Sequence, residues 1–128
     1  MPYDPDMVVW FYTEDRKIHP YEGIQNIAKN KELDAVVCYN DQNAMGVIRA
    51  LEALDLKIPD DVSVTGYDNF YMANQSDFRL TSIAHPQEKL GEMAAELLLD
   101  LVVNGENSEK QKIMIEPELV EGTSCKRR

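Results

Sequence analysis

LDAVVCYNDQNAMGVIRALEALDLKIPDDVSVTGYDNFY, residues Leu33 to Tyr71, is the stretch whose reading decides the fold. Ala35, Val36, Val37 and Cys38 form a short β-branched apolar run of the kind that fills a buried parallel strand. After Asn40-Asp41 the period changes. Ala44, Ile48 and Leu51 recur three to four residues apart, with Arg49 and Glu52 between them, which predicts an amphipathic helix over Asn43 to Leu54. Asn40 or Asp41 suits its cap, because a short side-chain oxygen accepts the first free N–H groups of a helix. Pro59 and Asp60-Asp61 break the chain, and Val62-Ser63-Val64-Thr65-Gly66 alternates as a second strand. Strand, helix and strand in this order make a right-handed βαβ unit, and ligands of such sheets lie outside the carboxyl ends of the strands. The two places that matter for function are therefore Asn40-Asp41 and Tyr67-Asp68-Asn69.

Outward from this unit the signals are weaker. Met7 to Tyr12 reads as a strand with Trp10 in the core, and Thr13 to Pro20 as a polar loop. Pro20 opens a short helix through Asn30 with Ile24, Ile27 and Ala28 inward. Phe70 to Arg79 has neither helical nor strand period and reads as a surface loop. Leu80 to Ala84 is a short strand, and Pro86 suits the first turn of the longest helix, Gln87 to Val103. Its stripe is Leu90, Met93, Ala94, Leu97, Leu98 and Leu101, and Asn104-Gly105 stops it. Closing strands are expected at Ile113 to Ile115 and Leu119 to Val120, around Pro117.

The chain has 128 residues, enough for one core. Its formal net charge of −10 opposes binding of nucleic acid by this chain, since phosphates call for a basic face. The basic cluster Lys126-Arg127-Arg128 reads as a solvated tail. Cys38, in a predicted strand, and Cys125 are expected as free thiols in a reducing cytosol. MPYDPDMVVWFY lacks the pattern of a signal peptide, and Leu97 to Val103, interrupted by Asp100, is too short to span a bilayer. A cytoplasmic protein without membrane contact is expected.

Asn40 and Asp68, at the ends of adjacent strands, form a pair suited to a sugar: a carboxylate accepts from two hydroxyls and an amide both donates and accepts. The same residues have plain structural roles, Asn40 as a helix cap and Asp68 in a turn. The acidic rim of Asp41, Asp68 and Asp15 also suggests Mg²⁺, as in phosphotransfer domains. That chemistry needs a Lys and a Thr or Ser at neighbouring strand ends, and Thr81 and Lys89 are poorly placed for it. No nucleophile arrangement, phosphate loop or Cys/His metal spacing is present. No catalytic residue, metal site or cofactor is assigned, and a non-enzyme is expected.

The run CYNDQNAMGVIRALEALDLKIPDDVSVTGYDN, followed by LTSIAHPQEKLGEMAAELLLDLV, resembles the sensor domain of LacI/GalR-family transcriptional repressors. The family's wording is a strand ending in Asn-Asp, an Ala-x-Gly helix, then Pro-x-Asp-Val-Ser-Val-x-Gly-Tyr/Phe-Asp-Asp. Leu-Thr-Thr and a Gly-x-x-Ala-Ala helix follow. Here Asn40-Asp41, Ala44, Gly46, Pro59, Asp61 to Val64, Gly66 to Asp68, Leu80 to Ser82, Gly91 and Ala94-Ala95 fall in that order. The HPQEKLG wording, His85 to Gly91, is similar to that of arabinose-responsive repressors.

The resemblance implies an α/β fold of the type I periplasmic-binding-protein kind, a doubly wound parallel sheet in two lobes with sugar between them. It implies that this chain is the last part of such a domain, with residues 1–80 and 118–128 mostly in the second lobe and 85–115 in the other. The resemblance also implies that a DNA-binding head lies outside this sequence and that apolar faces would be left uncovered. By the same resemblance Asn40 and Asp68 contact the effector. His85 and Gln87 lie just past the crossover, with Gln87 where an aromatic often stands, so the stacking partner of a sugar is unassigned. Arg16 and His19 are second-rank ligand candidates, in a loop that follows a strand facing the sugar. Asn69 replaces the family's second Asp and receives no contact.

A homodimer is implied through the Gln42 to Ala50 helix face, with Ala44, Met45 and Ile48, and through the Phe70 to Gln75 loop with Met72. Function by resemblance is sugar sensing and dimerisation, with operator DNA bound through a head outside this sequence. The alternatives are a sugar-binding transport receptor of the same fold and the Mg²⁺-dependent phosphotransfer domain. Arabinose rests on HPQEKLG alone, and galactose-, ribose- or purine-type effectors remain open.

Overall fold

A computed structural model describes residues 20–29, 33–70, 74–75, 78–105 and 112–126. The strand expected at Met7 to Tyr12, the loop with Asp15, Arg16 and His19, and Met72 lie outside the described residues. The described elements are α1 (Pro20–Ala28), β1 (Ala35–Val37), α2 (Asp41–Glu52), β2 (Ser63–Thr65), β3 (Asn74–Gln75), β4 (Phe78–Arg79), β5 (Ser82–Ala84), α3 (Gln87–Asn104) and β6 (Glu118–Val120).

The βαβ unit forms as its periodicity predicts. β1 and β2 are parallel, with Ala35, Val36 and Val37 opposite Ser63, Val64 and Thr65. α2 begins at Asp41 and ends at Glu52, at each end two residues earlier than its apolar spacing suggests. Its start is set by Asn40, whose backbone is extended and whose side chain accepts from Asn43 N at 2.9 Å. The helix buries Ala44, Val47, Ile48, Ala50 and Leu51 against Val62 and Val64 of the second strand segment, with Cys38 and Leu80 in the same cluster. α1 packs beside α2 and contributes Ile24, with Ala28 partly buried against the core. Full burial of each Leu, Ile or Val here contributes about 1.5–3 kcal/mol.

Beyond Thr65 the second strand acquires a new neighbour. Gly66 N donates to Thr81 O and Asp68 N to Ile83 O, each at 3.0 Å, in a parallel arrangement opened by the Thr65–Thr81 bridge. β5 then pairs antiparallel with β6, Ser82 opposite Val120 and Ala84 opposite Glu118. Fully buried Ser124 closes the gap where the second strand changes partner. Its Oγ donates to Val64 O at 2.6 Å and accepts from Thr81 N at 2.8 Å, while its carbonyl accepts from Val64 N.

Four expectations are corrected. β1 is not buried on both faces: Val36 and Cys38 face the core, whereas Val37 and Tyr39 are 84% and 86% exposed, because both helices of the core, α1 and α2, cover the same side. Phe70 to Arg79 is not simply a loop, since β3 and β4 form a two-residue antiparallel ladder within it, too short to leave a period. Ile113 to Ile115 forms no strand; Met114 is 80% exposed, and the ladder with β5 reaches only Glu118 to Val120. Ala44 and Ile48 are not on a surface offered to a second copy, because both are inside the core of their own chain.

α3 carries the expected apolar stripe, yet none of its residues is buried. Leu98, Leu99, Leu101, Val102 and Val103 are all exposed. Gly105, at φ 59°, ends the helix with its N–H on Leu101 O. Among the described residues no helix is long and apolar enough to cross a membrane.

Candidate functional site

The carboxyl ends of β1 and β2 bring Asn40 and Asp68 to one rim. The link is backbone: Asp41 N donates to Tyr67 O at 2.9 Å, so the residue after Asn40 is tied to the residue before Asp68. Asn40 spends its carboxamide oxygen on the helix cap. Its Nδ2 hydrogens have no partner among the described residues, so toward a ligand Asn40 is a donor. Asp68 is half-buried, at φ 98°, and its carboxylate has no partner among the described residues. A carboxylate with free lone pairs beside an amide donor matches a pair of neighbouring hydroxyls. The two structural roles foreseen for these residues, cap and turn, are both present, and they leave the Asn40 amide hydrogens and the Asp68 carboxylate without a partner among the described residues.

Asp41 behaves differently. It is 2% exposed, and both oxygens accept: Oδ1 from Ser82 Oγ at 2.6 Å and Oδ2 from Phe70 N at 2.5 Å. Ser82 Oγ in turn accepts from Asn69 N at 3.1 Å. A side chain at position 66 would collide with Asp41 Oδ1 and approach Leu80 Cδ2 to 2.8 Å, so Gly66 is the residue that leaves room for this carboxylate. With its lone pairs turned inward, Asp41 is lost to the Mg²⁺ alternative. Among the described residues no three His, Cys, Asp or Glu side chains gather as a metal site would require. Burial, followed by the charge of Asp41, pushes the Cys38 thiol up to about 12, which keeps it protonated and unreactive at neutral pH.

His85 reaches the same rim through Tyr67. Their ring centroids are 5.9 Å apart and tilted by 46°. Gln87 is exposed at the first turn of α3; its backbone N donates to His85 O at 2.8 Å, and its side chain has no hydrogen-bond partner among the described residues. Ser82 is the residue that sequence reading missed in this assembly; Asp41 and Tyr67 stood at the two places it singled out, but the buried anchoring by Asp41 and the packing of the Tyr67 ring on His85 were not foreseen. The Asp41 contacts span 29 and 41 residues, and no local pattern signals such a distance. Tyr67 stood in the quoted motif, but its packing on His85 depends on the parallel pairing of their strands.

A family model for the periplasmic binding protein-like domain matches residues 7–125. The chain belongs to this family. Among its curated relatives, the HTH-type transcriptional repressor PurR of Photorhabdus laumondii is 41% identical over 105 residues, covering 81% of this chain and 30% of the relative. The arabinose metabolism transcriptional repressor of Geobacillus stearothermophilus is 30% identical over 129 residues, covering 98% and 35%. A LacI family transcriptional regulator from Enterococcus faecium, solved with bound ribose, superimposes with a TM-score of 0.72 at 32% identity. That match covers 83% of this chain and 39% of the regulator. The chain thus spans about a third of the length of these curated relatives. The periplasmic-binding-protein-like fold is that of LacI-family sensor domains, and this chain is a part of it.

Proposed function

We propose that this periplasmic-binding-protein-like chain is the effector-sensing and dimerising part of a bacterial sugar-responsive transcriptional repressor. The observation that carries the reading is the pairing of a free amide donor on Asn40 with a free carboxylate on Asp68 at the carboxyl edge of β1 and β2. The likeness to a regulator solved with ribose supports a sugar as effector, and the arabinose repressors among the relatives support a pentose. His85 serves as a third contact from beside Tyr67, while Gln87, Arg16 and His19 are outer candidates. The second lobe is built around β1 and β2, α3 belongs to the other lobe, and sugar bound between them biases their closure. Repressor names among the relatives favour this reading over a transport receptor and over an enzyme. With a net charge of −10, this chain leaves operator contact to a head outside this sequence, in a cytoplasmic homodimer.

A panel of pentoses and hexoses added to the protein tests the site by thermal shift. A sugar binding only the native state stabilises by about 2.7 kcal/mol at 100 times its dissociation constant. One sugar is expected to raise the melting temperature, and Asp68→Ala to abolish that rise while leaving the sugar-free value near wild type. A shift that survives Asp68→Ala removes the rim from the binding site.

For dimerisation, Met45 is half-buried against the core at the edge of the arc of α2 that exposes Gln42 and Arg49, now that Ala44 and Ile48 are assigned to the core. Met45→Asp is expected to convert a dimer to a monomer in sedimentation equilibrium. An unchanged dimer mass would move the interface elsewhere.

A further inference from the structure

The turn that carries Asp68 is held at every step of its backbone. Asp68 and Asn69 have φ of 98° and 49°, in the left-handed region that disfavours residues with a side chain. Tyr67 O accepts from Asp41 N, and Asp68 N donates to Ile83 O. Asn69 N donates to Ser82 Oγ and Phe70 N to Asp41 Oδ2, while Ser82 Oγ donates to Asp41 Oδ1. Three of these five bonds end on Asp41 itself, and a fourth reaches it through Ser82. A buried carboxylate accepting from two donors is a stronger anchor than a neutral acceptor. Because both of its oxygens are occupied and it is almost wholly buried, Asp41 is unavailable to a ligand.

We propose that Asp41 is a positioning residue for effector recognition: its buried carboxylate fixes the Tyr67 to Phe70 turn, and so aims Asp68 at the rim before any effector arrives. The proposal rests on the reading that Asp68 takes effector hydroxyls. Without the anchor, the turn relaxes out of the left-handed region and the Asp68 carboxylate loses its direction, so that binding must first order it. Gly66 is part of the same device, since a side chain there would push Asp41 off the turn.

The test uses the 128-residue chain, with D-ribose and L-arabinose as probes, and follows each residue by NMR. Amide exchange at Asn69 and Phe70 reports the turn, Ile48 in the interior of α2 reports the core, and the Asn40 side-chain amide reports sugar affinity. Asp41→Ala is expected to speed exchange at Asn69 and Phe70 by about tenfold or more without changing Ile48, and to weaken the sugar by about tenfold or more. Asp41→Asn, which keeps an oxygen for Phe70 N, is expected to recover most of both. Should Asp41→Ala loosen Ile48 as well, Ser82→Ala decides. It leaves Asp41 in place, removes the anchor of Asn69, and is expected to speed exchange at Asn69 and weaken the sugar without touching Ile48.

Unchanged exchange at Phe70 in Asp41→Ala overturns the anchor. Faster exchange at the turn with wild-type sugar affinity overturns the positioning role while leaving the sugar site standing. A wild-type chain whose Asn40 and Asp68 signals respond to neither sugar overturns the sugar reading, and the proposal with it, whatever the exchange rates show.

Discussion

Leu51→Ala is expected to lower the free energy of unfolding by about 2–5 kcal/mol, the range for truncating a fully buried leucine. Leu51 has no exposed surface, lies in the last turn of α2, and its carbonyl accepts from both Leu54 N and Leu56 N, so the helix end is held in place around its side chain. The core it fills is small and made from few elements, which limits collapse around the missing atoms and leaves a cavity. Leu99→Ala is the control. Leu99 is 64% exposed on α3, so its loss empties no cavity, and alanine is the better helix former; a change within about 0.5 kcal/mol is expected. Urea denaturation of both variants checks the pair. A loss at Leu99 approaching that at Leu51 would mean that α3 is covered in solution, by another copy or by this chain's own core.

Gly122→Ala is expected to destabilise by about 1–3 kcal/mol or more, as overpacking does. The reason is space, since Gly122 does not have a left-handed φ. A Cβ there would collide with Arg79 O and approach Leu80 C at 2.6 Å and Arg79 C at 2.7 Å. All three are backbone atoms, and the same crossing holds the hydrogen bonds from Thr123 N to Arg79 O and from Gly122 N to Thr81 Oγ1. The chain cannot yield there without separating the closing segment from Arg79 and Leu80, two residues before Ser124 bridges Thr81 and Val64. Gly91→Ala makes the opposite test. A Cβ at Gly91 meets nothing within 4 Å, so the substitution is expected to stabilise α3 by about 1 kcal/mol through helix propensity. Comparable losses in thermal unfolding at both glycines would contradict this account of their surroundings.

How far each element could be read depended on the range of the forces that make it. α2 was legible because its apolar spacing and its Asn40 cap both act within a few residues. The two ends of β1 and β2 were legible as a rim for the same reason: a strand, a capped helix and a strand place their carboxyl ends together. The β3–β4 ladder was not, since two residues per strand carry no period, and neither was the failure of Ile113 to Ile115 to pair, since a strand needs a neighbour that local sequence does not specify. Ala44 and Ile48, given to a dimer face by the resemblance alone, belong to the apolar stripe that predicted the helix, and they lie in the core of their own chain.

By itself the sequence determined the βαβ unit, the family, and the residue types at the rim, all of which rest on local periodicity and on motifs within one stretch. Only the tertiary structure decided which atoms at that rim are free. Asn40 and Asp41 are neighbours of nearly the same shape, yet one leaves its amide hydrogens without a partner among the described residues while the other turns both oxygens inward to Ser82 and Phe70. That division depends on where residues 29 and 41 positions away come to lie, and burial and hydrogen bonding over such distances are settled by how the strands pack.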